Sequence, residues 1–241
     1  MVVAGGDGTI NEALEGMAGS RVPLAILPSG TANVLAMEMK LGRDPVKAAR
    51  HLNEWEPRTV SIGCVALPGG EARKFLLMAG IGLDAHVVAH VNGPLKARTG
   101  KFAYWVAGWS LLGRRLPQFE VEAEGGRYAC AFALISKVRN YGGDFEIARH
   151  VTLLDDRFEV VLLEGKTTFG FVRYFAGMAL GRLEGMRGVT VLRTREAKLC
   201  AAGDAPVYVQ IDGELAGRLP AEFRIVPDAV RLLMPEGYGA R

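Results

Sequence analysis

Cysteine is scarce in this sequence, net charge is small, and long apolar runs are missing. The three cysteines, Cys64, Cys130 and Cys200, are odd in number, lie far apart and form no Cys-x-x-Cys pair. That argues against a disulfide framework and implies reduced thiols in a cytoplasmic protein. A net charge of +3 is too small to argue for nucleic acid, so no nucleic-acid partner is expected. It leaves room for weak attraction to phosphates or to an anionic membrane surface. No basic-then-apolar leader stands at the start, and no apolar run could cross a bilayer, which implies a soluble or peripheral protein. Internal repeats and low-complexity segments are also missing. What is present is 241 residues, 49% hydrophobic and 23% charged, the composition of an ordered globular chain with one large core or two modest ones.

Residues 1–57 alternate strand-like and helix-like segments. Met1–Ala4 is a short apolar run ending in Gly5-Gly6, and Thr9–Met17 has helical spacing through Ile10, Ala13, Leu14 and Met17. Pro23–Leu27 forms a second strand, Thr31–Leu41 a second helix, and Asp44-Pro45 starts a third with proline in its first turn. That repetition is the pattern of a parallel α/β sheet. After Pro57 many short strand-like runs separated by Gly, Pro or Asp turns predict a β-sandwich-like domain. Among them are Thr59–Leu67, Lys74–Ala79, Tyr128–Ser136 and Val207–Asp212. Two helical stretches interrupt them, at 84–116 and Thr168–Leu183. The expected fold class is thus α/β plus β: a parallel α/β domain over 1–57, then a β-rich, sandwich-like domain over 58–226. Residues 227–241 are expected to pack back on the first.

Four short stretches carry chemistry. In "VAGGDGTINE" a strand runs through Gly5, Gly6, Asp7, Gly8 and Thr9 into a helix holding Asn11 and Glu12. Backbone N–H groups uncovered by side chains, with the positive helix end, suit an anion. A carboxylate beside a triphosphate is repelled unless Mg²⁺ lies between them or it takes a proton from the attacking hydroxyl, so Asp7 points to chemistry rather than mere phosphate holding. A plain tight turn is the bland alternative. "LPSGTAN" repeats the strand-to-turn-to-helix pattern with Gly30, Thr31 and Asn33, and in a parallel sheet two such loops emerge on the same edge. "VQIDGELAG" contains Glu214 in what also reads as a hairpin turn. In "AGIGLDAHV", Asp84 opens a helix and also reads as an N-cap.

Taken in order, GGDGT followed by Asn-Glu, then Pro-x-Gly-Thr-Ala-Asn, then Gly-x-Asp-Ala, then Asp-Gly-Glu resemble the diacylglycerol kinase catalytic domain family. This lipid kinase group includes bacterial diacylglycerol and phosphatidylglycerol kinases and the sphingosine kinases. The resemblance runs from Met1 nearly to the end, and it implies that residues 1–57 are a truncated nucleotide-binding domain and residues 58–226 a lipid-substrate domain. It implies an ATP- and Mg²⁺-dependent enzyme that transfers the γ-phosphate to a hydroxyl of a diacylglycerol-like lipid. ATP would be held by Gly5, Gly6, Asp7, Gly8, Thr9, Asn11, Glu12, Gly30, Thr31 and Asn33. Glu214 would serve as the base, with Asp7 competing for that role, and Asp84 would contact the acceptor's polar head. "ARHVTLLDDRFEVVLLEG" is similar to the family's acidic segment, which holds a structural Mg²⁺. The ligands there would be the Asp156 carboxylate and the carbonyls of Leu153 and Phe158. Arg157 stands where the pattern has glycine and His150 where it has proline, and a nearby arginine weakens cation affinity.

NAD kinases and phosphofructokinases also use a GGDG-type loop. The Ser-Gly-Thr-Ala-Asn run here differs from the Thr/Ser-rich second motif of NAD kinases, which favours the lipid kinases. A lipid substrate implies peripheral membrane contact, for which Phe102, Tyr104, Trp105, Trp109, Leu111 and Leu112 beside Arg114 and Arg115 suit an interfacial helix; a buried core helix is the alternative. His86 and His90 could share a helix face, without a third ligand in view. The family pattern begins with further strand and helix before GGDGT, a unit of roughly 30 residues. From its absence before Met1 the expectation is weak or no kinase activity, a non-catalytic nucleotide- or lipid-binding remnant, or a start codon placed too late. Oligomeric state stays open, with a homodimer among the options.

Overall fold

The computed structural model describes residues 1–17, 19–83, 85, 115–141 and 145–239. Strand β1 (Val2–Gly5) leads into helix α1 (Asp7–Met17), and β2 (Ala25–Pro28) into α2 (Val34–Glu38). β1 and β2 pair in parallel from Val2↔Ala25 to Gly5↔Pro28, so both loops leave the same end of the sheet. α1 buries Ile10 and Leu14, the positions its apolar spacing selects. α2 is much shorter than the helix expected over Thr31–Leu41. Asn33 adopts a left-handed conformation (φ 50°), and its amide oxygen accepts from the Gly30 N–H while its NH₂ donates to the Gly30 carbonyl, each at 2.8 Å. That local ring competes with helix over residues 30–33. α3 (Pro45–Arg50) is capped by Asp44, whose carboxylate accepts from the N–H groups of Val46 and Lys47.

After a short 3₁₀ turn the chain enters β3 (Glu56–Ala66), β4 (Arg73–Phe75), β5 (Met78–Gly82), β6 (Phe119–Ala123), β7 (Gly126–Cys130), β8 (Phe132–Ser136), β9 (Asn140–Tyr141), β10 (Phe145–Glu146) and β11 (Phe158–Leu163). Helix α4 (Thr168–Ala179) follows, then β12 (Val189–Thr194), β13 (Glu196–Ala201), β14 (Tyr208–Ile211), β15 (Glu214–Arg218) and β16 (Ala221–Met234). Two six-stranded sheets result, in the orders β12-β11-β8-β5-β14-β15 and β4-β3-β16-β13-β6-β7. Their facing sides enclose one core. There Phe75 stacks on Phe158 at 5.8 Å and meets Phe223 edge-on at 6.2 Å. The first sheet's other side shares a second core with α1, α2 and α4, which explains why β8 and β11 are buried throughout.

Two runs that look continuous in sequence are broken in the structure. Lys74–Ala79 divides into β4 and β5, and Tyr128–Ser136 into β7 and β8, because in each case the chain crosses from one sheet to the other. Unbroken apolar character marks burial in both layers and says nothing of the corner between them. Past a register shift after Val226, β16 continues along β3 and also bridges the α/β half through Leu24↔Leu232. Leu24 donates to the Arg231 carbonyl and Leu233 donates to the Leu24 carbonyl, both at 2.8 Å. One strand of the sandwich therefore extends alongside β2 beyond the sandwich.

Candidate active site

The first two loops touch through their backbones. A Cβ built on Gly30 would fall 2.4 Å from Gly6 Cα, so only glycine permits this approach. Asp7, the first residue of α1, directs both carboxylate oxygens across the gap. It accepts from the N–H groups of Val34 (3.0 Å) and Leu35 (3.1 Å) at the start of α2. Asn33, the residue in the N-cap position, makes no side-chain cap bond, so Asp7 does that work from another element. Gly8, Thr9, Glu12, Gly30 and Thr31 are exposed around this junction; Asn11 is half-buried, and Gly5 and Asn33 are buried.

The Asp-Gly-Glu motif arrives from more than 200 residues away in sequence. Asp212 and Gly213 both have positive φ (47° and 87°), the backbone of a tight hairpin that suits Asp-Gly. β14 and β15 pair across it from Ile211↔Glu214. The Asp212 carboxylate is not idle in that turn. It accepts from Leu76 (2.9 Å), Leu77 (3.0 Å) and Met78 (2.9 Å), the corner where the chain leaves β4 for β5 and its N–H groups lose sheet partners. Burial pushes its carboxyl up to about 6 against the pull of those three bonds, and the charge of Asp7 pushes the same way. Sequence reasoning missed Asp212; the Asp-Gly doublet was its only mark.

Glu214, one residue past the turn, is exposed, and its Oε1 lies 3.8 Å from where a Cβ on Gly8 would sit. Arg73 approaches its Oε2 at 3.8 Å and donates to the Leu215 carbonyl. The structure thus brings together Asp7, Gly8, Asp212 and Glu214. Asp212 is turned into the Leu76–Met78 corner, whereas each Asp7 oxygen accepts a single N–H bond and keeps a lone pair for a cation carrying phosphate oxygens, an ion that needs only one or two carboxylates from protein. Among the described residues, no group of three or more His, Cys, Asp or Glu could hold a metal by itself.

Beneath this site Glu38, buried at the end of α2, accepts from the Arg139 N–H and from the Tyr238 hydroxyl, each at 2.9 Å. Tyr238 in turn accepts from the Leu153 N–H at 3.0 Å. Burial raises the Glu38 carboxyl above its ordinary value.

The segment expected to hold a structural ion looks different. Asp156 is paired with Arg195, and Asp155 with Arg193 at 2.5 Å. The buried Lys137 ammonium donates to the Asp155 carbonyl. Leu153 and Phe158 are fully buried, the latter in register with Thr194. With guanidinium groups on both carboxylates and an ammonium on the loop carbonyl, these residues do not fit a divalent ion. Asp84, His86, His90 and the aromatic stretch 102–114 lie outside the described residues. Among those described, no helix is long and apolar enough to cross a membrane.

Residues 1–65 match the family described as Diacylglycerol kinase catalytic domain, and residues 78–234 match the YegS C-terminal NAD kinase beta sandwich-like domain. Diacylglycerol kinase from Bacillus subtilis (strain 168) is 28% identical over 242 residues, spanning 98% of this chain and 78% of the relative. Diacylglycerol kinase from Mycobacterium tuberculosis (strain CDC 1551 / Oshkosh) is 28% identical over 240 residues, spanning 98% and 76%. A crystal structure of a diacylglycerol kinase from Bacillus anthracis str. Sterne superposes with a TM-score of 0.77 at 18% identity. It covers 98% of this chain and 78% of that one, a likeness of fold. With the GGDGT and Gly-Thr-Ala-Asn loops joined at one sheet edge and the Asp-Gly-Glu hairpin folded onto them, the chain joins a diacylglycerol kinase catalytic domain match over residues 1–65 to residues 78–234, through which it belongs to the family described as YegS C-terminal NAD kinase beta sandwich-like domain.

Proposed function

We propose that the protein transfers the γ-phosphate of ATP to a hydroxyl of a diacylglycerol-like lipid, with Glu214 as the base. The observation that carries this reading is the approach of the Glu214 carboxylate to Gly8 at the start of α1. A base must stand where a nucleotide's terminal phosphate and an incoming hydroxyl can meet. Asp7 is the weaker candidate for the proton, because both its oxygens already accept backbone N–H bonds. Glu214 is exposed, with only Arg73 close to its carboxylate among the bonds described.

In this reading the exposed N–H groups of Gly6–Thr9 and the hydroxyl of Thr31 bind ATP oxygens. The lipid oxygen attacks the γ-phosphorus, its proton passes to the Glu214 carboxylate, and the bond to the β,γ-bridging oxygen breaks to release ADP. Mg²⁺, held by Asp7 with the phosphates, would neutralise charge on the transferring group. Asp84 would contact the acceptor's head, and the enzyme would meet its substrate as a peripheral protein at a membrane. Support for the acceptor class comes from the relatives, whose names are those of diacylglycerol kinases.

The test is Glu214→Gln, assayed with radiolabelled ATP and diacylglycerol in mixed vesicles. The expected result is a loss of about 10²–10⁴-fold in kcat with nucleotide affinity nearly unchanged. Full activity in the variant would remove Glu214 from the mechanism.

A further inference from the structure

We propose that the loop Val151–Arg157 is held by three cations of the chain itself, Lys137, Arg193 and Arg195, in place of a divalent metal ion. The loop feeds β11, a strand with neighbours on both sides. β8 pairs with it on one side and β12 on the other, with Glu159 opposite Ser136 and Phe158 opposite Thr194. That register sets the residues next to Ser136 and Thr194 around the point where the loop enters the sheet. Those residues are Lys137 on one side and Arg193 and Arg195 on the other.

Each cation has its own acceptor. Lys137, wholly inaccessible to solvent, donates to the Asp155 carbonyl. Arg193 pairs with the Asp155 carboxylate at 2.5 Å, and Arg195 pairs with Asp156. The other Asp155 oxygen folds back to accept from the Thr152 N–H (2.7 Å) and hydroxyl (2.8 Å), which closes the loop on itself. A buried ammonium requires an acceptor, and a carbonyl in a tight acidic loop supplies one. A divalent ion bound to Asp156 would have to displace Arg195 and then sit beside the remaining positive groups, which oppose it. Lys137 is buried, and Arg193 and Arg195 close the loop from its more exposed side; all three are covalently part of the fold and need no free ion.

The experiment compares the nucleotide-free protein with Asp156→Asn, each melted in EDTA and in millimolar Mg²⁺. The expected result is that Mg²⁺ shifts the Tm of both by the same amount, since Asp156 holds no ion. A Mg²⁺-dependent rise in the wild type that Asp156→Asn abolishes would overturn the proposal. A second variant, Lys137→Gln with Arg195→Gln, is expected to melt several degrees lower in EDTA; melting at the wild-type temperature would equally overturn it. Should that variant fail to fold, the comparison with Asp156→Asn decides alone.

Discussion

Asp7 and Asp212 each spend a carboxylate on backbone N–H groups of a distant element. In the sequence Asp7 stood out because a phosphate-holding loop has no use for a negative charge. The structure adds a second reason for it: without that carboxylate the first N–H groups of α2 would lose both acceptors. Asp212 does the same for the corner at Leu76–Met78. Its carboxyl is raised to about 6, above the ordinary unfolded value, so its contribution to stability is full below about pH 4 and is lost as pH rises through about 6. The difference in unfolding free energy between wild type and Asp212→Asn should therefore shrink by on the order of 2–3 kcal/mol between pH 4 and pH 7. Urea titrations across that range check it; a pH-independent difference would mean that the carboxyl titrates normally. The role was not legible in "IDGE", because a hairpin turn accounts for Asp-Gly by itself.

At the scale of elements, the strands were legible where apolar runs are bounded by turns, and illegible where the chain changes sheets. The pairing of β3 with β4 shows what such a corner demands. Gly63 lies opposite Phe75, and a Cβ on it would fall 2.2–2.5 Å from three atoms of the Phe75 ring. That ring in turn packs on Phe158 of the other sheet. Gly63→Ala should thus cost about 1–3 kcal/mol through overpacking, measured by urea denaturation. Adding Phe75→Leu should give a double variant less destabilised than the sum of the two single changes. Strict additivity would show that the ring moves aside freely.

At the scale of the molecule, backbone and side-chain bonds among the described residues add to the shared core in joining the α/β half to the sandwich. β16 runs past the sandwich to pair with Leu24. The chain Glu38–Tyr238–Leu153 links α2, the carboxyl-terminal segment and the loop before β11. Tyr238→Phe would leave the Glu38 oxygen and the Leu153 N–H without this partner. The expected loss is about 1–3 kcal/mol, or roughly 2–12 °C in Tm for a chain of this size. Faster hydrogen exchange at Leu153 should accompany it, and unchanged exchange there would show that the hydroxyl holds nothing.

What the sequence by itself determined is local or ordered along the chain. The strand–turn–helix units of residues 1–57, the apolar faces of α1 and α4, the cap at Asp44 and the succession of four motifs all follow from neighbouring residues. Only the tertiary structure decided the rest. It set Glu214 against Gly8, gave Asp7 and Asp212 their acceptor roles, carried the chain between sheets at Leu76 and Ala131, and surrounded Asp155 and Asp156 with Lys137, Arg193 and Arg195. Those contacts join residues far apart in sequence, and their existence depends on strand register and on the cost of leaving buried N–H groups and charges unpaired. Neither quantity is written in any short stretch of residues.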